Sequence, residues 1–160
     1  MDFLRALHGY SFNFDAAFLA PNPFALASLL LFIWSFWMLR RDAVTPSFLV
    51  GVRLTWLTFL VPALTGILLT LRGGKVPSAV DVGGGLTKFG TPYDPTQEGM
   101  HWLYASFALL SLLLIESLIR GQFLERRKGL KLLPVVTLFM YGCAYMVGHV
   151  AFFPGSTPGR

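Results

Sequence analysis

Three histidines are the side chains of this 160-residue chain that are best suited to redox or metal chemistry: His8, His101 and His149. His101 opens one long apolar run, and His149 lies near the end of the next run. A short basic segment joins the two runs, so they should form antiparallel helices. The start of one helix then lies level with the end of the other. We therefore expect His101 and His149 to share one side of a membrane at a similar depth.

Two histidines on facing helices are a common ligand set for a b-type haem. This hypothesis makes His101 and His149 the axial ligands of haem b. Small residues on the same two runs leave room for a flat group between the helices: Ala105, Ala108, Gly142, Ala144 and Gly148. Four further residues fall at the same predicted depth. Arg72 and Lys75 would balance the charge of the haem propionates, and Tyr104 and Tyr145 would line the pocket.

Other ligands fit the same histidines. A quinone is one alternative to haem. A copper or zinc ion is another, with His8 folding in beside His101, because imidazole with thioether suits copper and imidazole with carboxylate suits zinc. Met100 and Glu98 would supply those groups, although no closely spaced pair of histidines supports such a site. In the simplest alternative no cofactor binds. The histidines then only hydrogen-bond to neighbouring helices or lie among the lipid headgroups at the membrane surface.

Two ionisable residues, Arg53 and Glu116, fall inside apolar runs, where charge is costly and commonly functional. Arg53 lies roughly 9 Å in from the start of its run and Glu116 roughly 6 Å in from the end of its own, at 1.5 Å per residue. We predict that they pair and hold two helices in register. Two alternatives remain, in which Arg53 extends toward water or Glu116 pairs with Arg120 one turn later.

The elements that must position these residues are membrane-spanning helices. The chain is 54% hydrophobic and 13% charged, with a mean hydropathy of +0.61, whereas soluble domains carry about 25% charged residues. We predict an all-α integral membrane protein, a single domain over residues 1–160 that forms an antiparallel bundle of four transmembrane helices. The predicted spans are about 24–39, 47–71, 100–119 and 133–153, and each is long enough, or nearly so, for a hydrocarbon core of ~30 Å.

Two segments lie outside these runs. Residues 1–23 predict an interfacial segment with a short amphipathic helix, since Phe3, Leu4 and Leu7 would share one helical face. Residues 72–99 contain seven glycines and three prolines, which predicts a long Gly-rich loop that caps one end of the bundle. Its carboxylates would either stay solvated or contact a soluble electron carrier: Asp81, Asp94 and Glu98.

The distribution of Lys and Arg predicts the orientation. The two short links are dense in basic residues: Arg40, Arg41, Arg120, Arg126, Arg127, Lys128 and Lys131. The other side has fewer, spread over longer segments: Arg5, Arg72, Lys75, Lys88 and Arg160. By the positive-inside rule the short links are cytoplasmic. Both termini and the loop 72–99 are then on the outer side, and we expect a multi-pass protein of a bacterial plasma membrane.

Several function classes are disfavoured. The net charge of +5 is concentrated in the two links, and no basic stripe with interleaved aromatics predicts nucleic-acid binding. No Gly-x-Ser-x-Gly elbow predicts a hydrolase. The leading hypothesis is an electron-transfer protein or respiratory-complex subunit that holds haem b or a quinone near the outer face. The alternatives are a metal-binding membrane protein, or a non-catalytic accessory or assembly subunit that contacts other membrane subunits, or copies of itself, through aromatic residues of the first run: Phe32, Trp34, Phe36 and Trp37.

Overall fold

A computed structural model describes residues 2–12 and 15–152 of the chain. The described residues form five α-helices: α1 (Asp2–His8), α2 (Pro23–Met38), α3 (Pro46–Leu71), α4 (Thr96–Arg120) and α5 (Arg126–Phe152). Two short 3₁₀ helices, Asp15–Phe18 and Pro77–Ala79, lie in the connections. The carboxy-terminal tail from residue 153, and with it the predicted outer placement of the C terminus, lies outside the described residues.

Local capping chemistry sets where α2 and α3 begin. The side chain of Asn22 accepts the N–H of Ala25 at 2.8 Å, and that of Thr45 accepts the N–H of Phe48 at 3.3 Å. A proline follows each cap, where its missing N–H costs nothing because that position has no helical partner. Both helices therefore start one residue before the predicted spans. α4 ends at Arg120, because the next residue, Gly121, adopts a left-handed conformation with φ 70° that caps the helix.

The last two helices are longer than the predicted spans 100–119 and 133–153. α4 begins at Thr96 and α5 already begins at Arg126, so Pro134 lies inside α5 rather than at its start. Apolar runs mark only the part of a helix that can lie in hydrocarbon, and polar residues extend the same helix beyond it. The connection between α3 and α4 is correspondingly 72–95, four residues shorter than the predicted loop 72–99.

α5 is the centre of the bundle. It packs against α4 on one side and α2 on the other, α2 packs against α3, and α1 docks on α3. α3 and α4, in contrast, barely touch. The core is apolar, and its largest fully buried side chains come from four helices: Leu31, Met38, Phe48, Leu112, Ile115, Leu130, Leu133 and Met140. The fold therefore leaves one weakly packed seam, between α3 and α4.

The tightest contact in the bundle is the α4–α5 hairpin. A Cβ at Gly129 would lie 2.7 Å from the carbonyl oxygen of Leu118, so only glycine fits at this crossing. Further along, Ala108 and Ala144 are both fully buried in the core. Small residues therefore allow these helices to approach closely. The space that the sequence suggested for a flat group beside these two alanines is filled by protein.

Among the described residues, three helices are long and apolar enough to cross a membrane: α3, α4 and α5. α2 is equally apolar but has only 16 residues. Large apolar side chains point away from the bundle, such as Leu54, Leu57 and Leu64, each more than half exposed. Such a surface suits lipid rather than water. The chain is thus a helical, multi-pass membrane protein, and its apolar helices suggest a bilayer environment.

The connection 72–95 packs on one end of the bundle. The Ser78 hydroxyl donates to the carbonyl of Val150 at 2.5 Å, and the Val76 N–H donates to a Glu98 carboxylate oxygen at 2.7 Å. The Asp81 carboxylate accepts the N–H groups of Gly83 and Gly85, which folds the glycine cluster into a turn. These contacts attach the Gly-rich segment to the ends of α4 and α5.

Candidate functional site

The side chain next to His101 is that of His8. The two ring centroids are 6.0 Å apart and the rings are tilted by 59°. His8 is the last residue of α1, and His101 lies in the second turn of α4. The docking of α1 on α3 brings His8 to the α3–α4 seam, where the two rings meet.

α3 holds His8 through its backbone and through a small residue. His8 Nδ1 lies 2.9 Å from the carbonyl oxygen of Pro62 and 3.3 Å from the hydroxyl of Thr65. A Cβ at Gly66 would lie only 2.8 Å from His8 Cε1. The imidazole therefore lies against the bare backbone of α3, at a place where any larger residue would push it away.

His101 is held in a similar way by α5. Its Nδ1 lies 3.0 Å from the carbonyl oxygen of Val147. A carbonyl oxygen can only accept a hydrogen bond, so the bond to Val147, like the bond from His8 to Pro62, requires a proton on Nδ1. In the neutral imidazole the lone pair is then on Nε2. Histidines that bind metals commonly show this pattern, with the second nitrogen fixed by a backbone carbonyl.

If their Nε2 atoms faced each other across one metal, the two ring centroids would lie at nearly the observed separation. Metal–nitrogen bonds of about 2.0–2.1 Å, each added to roughly 1.1 Å from the nitrogen to the ring centre, place the centroids of two opposed imidazoles about 6.2–6.4 Å apart. The observed distance is 6.0 Å. Small rotations of either side chain would close that difference.

His149 lies in a different environment from the other two histidines. Its side chain is exposed and stacks on Tyr145, with centroids 6.1 Å apart and planes 19° from parallel. Tyr145 in turn contacts Tyr141, whose hydroxyl donates to the carbonyl of Leu19 at 2.6 Å. These residues form an aromatic row along α5. The structure thus joins His101 to His8 and places His149 in this row.

The remaining residues of the predicted haem pocket occupy the same end of the bundle. Tyr104 is half-buried and packs against the core. Arg72 caps the end of α3 through its backbone N–H, and both it and Lys75 are exposed at that end. The two cations therefore lie beyond the His8 site along α3, and Tyr104 follows His101 by one turn of α4.

Other metal-binding side chains do not join the pair. Within residues 2–12 and 15–152, no three His, Cys, Asp or Glu side chains are grouped to hold an ion. Glu98 uses its carboxylate to accept the Val76 N–H and, at 3.3 Å, the indole N–H of Trp102. Cys143 is buried in the core. Among the His, Cys, Asp and Glu side chains that the structure describes, none joins the two imidazoles.

A second polar cluster lies at the opposite end of the α3–α4 seam. One oxygen of Glu116 accepts from Arg53 and, at 3.1 Å, from the indole N–H of Trp56. The other oxygen accepts from Arg120 at 2.8 Å. The two pairings that the sequence offered as alternatives thus occur together, and Trp56 adds a donor that sequence reasoning missed.

Sequence reasoning also missed the residues that fix His8, namely Pro62, Thr65 and Gly66. The only available signal was Gly66 itself, because a glycine inside an apolar helix commonly marks a close approach of another group. Comparison with protein-family models, curated proteins and solved structures gave no match to this chain. Its function is therefore argued from the geometry of its side chains.

Proposed function

We propose that this chain is an integral membrane electron-transfer protein that holds haem b between His8 and His101. The observation that carries the proposal is the shared arrangement of the two rings. Each Nδ1 is bonded to a backbone carbonyl, and the centroids are 6.0 Å apart. Two Nε2 lone pairs are thereby available to the two axial positions of one iron.

The number of ligands favours haem over a bare ion. Zinc sites use three or four protein ligands, and copper sites generally use at least three. The described residues supply two histidines, with no further His, Cys, Asp or Glu grouped with them. A porphyrin provides four nitrogens of its own and needs only two axial ligands. Haem is thus the redox cofactor that this pair can complete.

The α3–α4 seam supports a site for the flat macrocycle. α3 and α4 scarcely pack on each other, so a group can enter between them without breaking a tight helix interface. Arg72 lies seven residues after Thr65 on α3, roughly 10 Å further along the helix. With Lys75 it would balance the propionates, while Tyr104 would border the ring.

We further propose four membrane crossings, with α2 as the short one. Contacts along α2 support this, because Asn22 lies against Gly148 near the end of α5 and Ser35 bonds to Thr137 near its middle at 3.2 Å. The link after α2 continues to the start of α5, where Asp42 pairs with Arg127 at 3.3 Å. α2 and its link together therefore run antiparallel to nearly the whole of α5.

The basic links favour a cytoplasmic location for that end of the bundle. Both termini, the loop 72–95 and the histidine pair would then lie on the outer side of a plasma membrane. An electron carrier could approach there, and exposed aromatic residues of α2 would face lipid or another subunit. Asp94 and Glu98 serve mainly the loop itself, since their carboxylates accept from Thr96 and Val76.

The test is a reduced-minus-oxidised absorption spectrum of the detergent-purified chain, expressed with ample haem. We expect a b-type spectrum with about one haem per chain, as one pair of axial ligands implies. His8→Ala and His101→Ala should each abolish or strongly alter it. His149→Ala distinguishes the two possible ligand pairs, because it should leave the spectrum intact if His8 is the ligand.

Three results would contradict the proposal. A wild-type chain that binds no haem under these conditions would favour the accessory-subunit interpretation instead. Loss of the spectrum in His149→Ala together with its retention in His8→Ala would return the axial role to His149. A quinone extracted from a haem-free sample would likewise replace haem as the ligand.

A further inference from the structure

A cavity of about 320 Å³ lies at the Glu116 end of the α3–α4 seam, which is the end opposite the histidine pair. It is bordered by the first turns of α3, the end of α4 and the first turn of α5. Its charged lining comes from all three helices: Arg53, Glu116, Arg120 and Arg126. This space has no role in the proposed haem site.

The cavity carries excess positive charge. Arg53 and Arg120 share the single carboxylate of Glu116, one on each oxygen. No carboxylate among the described residues pairs with Arg126, which also lines the cavity. Three guanidinium groups thus face one carboxylate, and the arrangement attracts an anion.

The other walls are apolar. Val52 and Ile119 line the cavity with at most 8% of their surface exposed, and the more exposed Leu49 lines it as well. Arg53 is seven residues from the start of α3, or roughly 10 Å, which is the depth of headgroups and upper acyl chains. The ligand that fits both linings is anionic at one end and hydrocarbon at the other.

We propose that this cavity binds the phosphate of an anionic phospholipid. Guanidinium groups match phosphate oxygens in a two-point fork, and basic pockets between spanning helices commonly hold lipid headgroups. Arg126 supplies a guanidinium group that no carboxylate in the described part of the chain shares, while Arg53 and Arg120 add positive charge from the Glu116 cluster. The glycerol and upper acyl chains lie along Val52 and Ile119. The proposal depends on the membrane location of the chain and not on haem.

The test measures lipid binding to the full-length purified chain by native mass spectrometry at physiological salt. Phosphatidylglycerol is compared with phosphatidylcholine, and inorganic phosphate is added in a separate arm. Arg126→Gln removes the unshared charge and keeps the Glu116 pairs. Arg127→Gln is the matched control, because it removes the same charge one residue away, where the side chain pairs with Asp42.

We expect wild-type protein to prefer phosphatidylglycerol by about fivefold or more, the scale of one well-placed basic residue. Arg126→Gln should lose most of that preference, Arg126→Lys should keep part of it, and Arg127→Gln should match wild type. Equal losses in Arg126→Gln and Arg127→Gln would overturn the site in favour of general surface charge. Absence of any preference would overturn it too, as would displacement of the lipid by millimolar inorganic phosphate.

Discussion

The two ends of the α3–α4 seam use opposite polar chemistry. At one end Glu116 is matched by three donors, from Arg53, Trp56 and Arg120. At the other end each imidazole uses only Nδ1, bonded to a backbone carbonyl. No hydrogen bond within residues 2–12 and 15–152 takes up the Nε2 atoms of His8 or His101.

This difference separates a structural cluster from the candidate binding site. Both carboxylate oxygens of Glu116 accept hydrogen bonds within the protein, so its cluster links two helices that otherwise scarcely pack. The histidine pair is held rigidly through one nitrogen of each ring and keeps a lone pair on the other. Both side chains are only partly buried, so the second nitrogen of each ring is open to a ligand. The histidine end of the seam is therefore where we expect one.

Glu116→Ala should give the largest loss of stability. It leaves Arg53, Trp56 and Arg120 without their common acceptor, and hydrogen bonds to a charged group contribute about 1.5–3 kcal/mol each before solvent screening of the two exposed arginines. We expect a total loss of about 2–3 kcal/mol in reversible unfolding from mixed micelles.

The matched control is Asp42→Asn, which breaks the pair with Arg127 at the same end of the bundle. The Asp42 and Arg127 side chains are both more than two-thirds exposed, so the loss of unfolding free energy should stay within about 0.5 kcal/mol. Similar losses in the two variants would mean that the Glu116 cluster does not link the helices.

Gly129→Ala should have the next largest effect. Its new Cβ would lie 2.7 Å from the backbone oxygen of Leu118, and overpacking of this kind costs about 1–3 kcal/mol. Gly142→Ala is the control on the same helix, because its Cβ meets open space and alanine favours the helix by up to about 1 kcal/mol. If both variants unfold like wild type, α4 and α5 are far enough apart at Gly129 to admit a methyl group.

Gly66→Ala should have the smallest effect on stability and a selective effect on the site. The added Cβ displaces the His8 ring, which lies 2.8 Å away, while alanine stabilises α3 by up to about 1 kcal/mol. We expect unfolding within about 1 kcal/mol of wild type, but less bound haem and an altered spectrum. Gly142→Ala should change neither. An unchanged spectrum in Gly66→Ala would show that His8 does not need its place on α3.

The sequence predicted the elements better than their contacts. Long apolar runs are enough to locate α3, α4 and α5, because hydrocarbon requires a continuous helix. Their ends depend on caps and polar extensions, which is why the start of α5 was placed near Pro134 and not at Arg126. Antiparallel order predicts that His101 lies level with the end of α5, and in the structure its ring bonds to the Val147 carbonyl of that helix.

Rotation about the helix axes could not be predicted in the same way. Depth alone does not say which face of α5 meets His101, and His149 is stacked with Tyr145 on an exposed face. The position of His8 depends on Gly66 and the Pro62 carbonyl, more than fifty residues away in the chain. No periodicity in the sequence encodes that contact.

The most direct test of the proposed haem ligation by His8 and His101 is the absorption spectrum of haem-loaded His8→Gly, recorded with and without added imidazole. The substitution removes one axial ligand and leaves a space of the same shape. We expect a five-coordinate, high-spin haem that returns to the six-coordinate, low-spin spectrum of wild type when imidazole enters. A low-spin spectrum in His8→Gly without imidazole would contradict the assignment of His8 as an iron ligand.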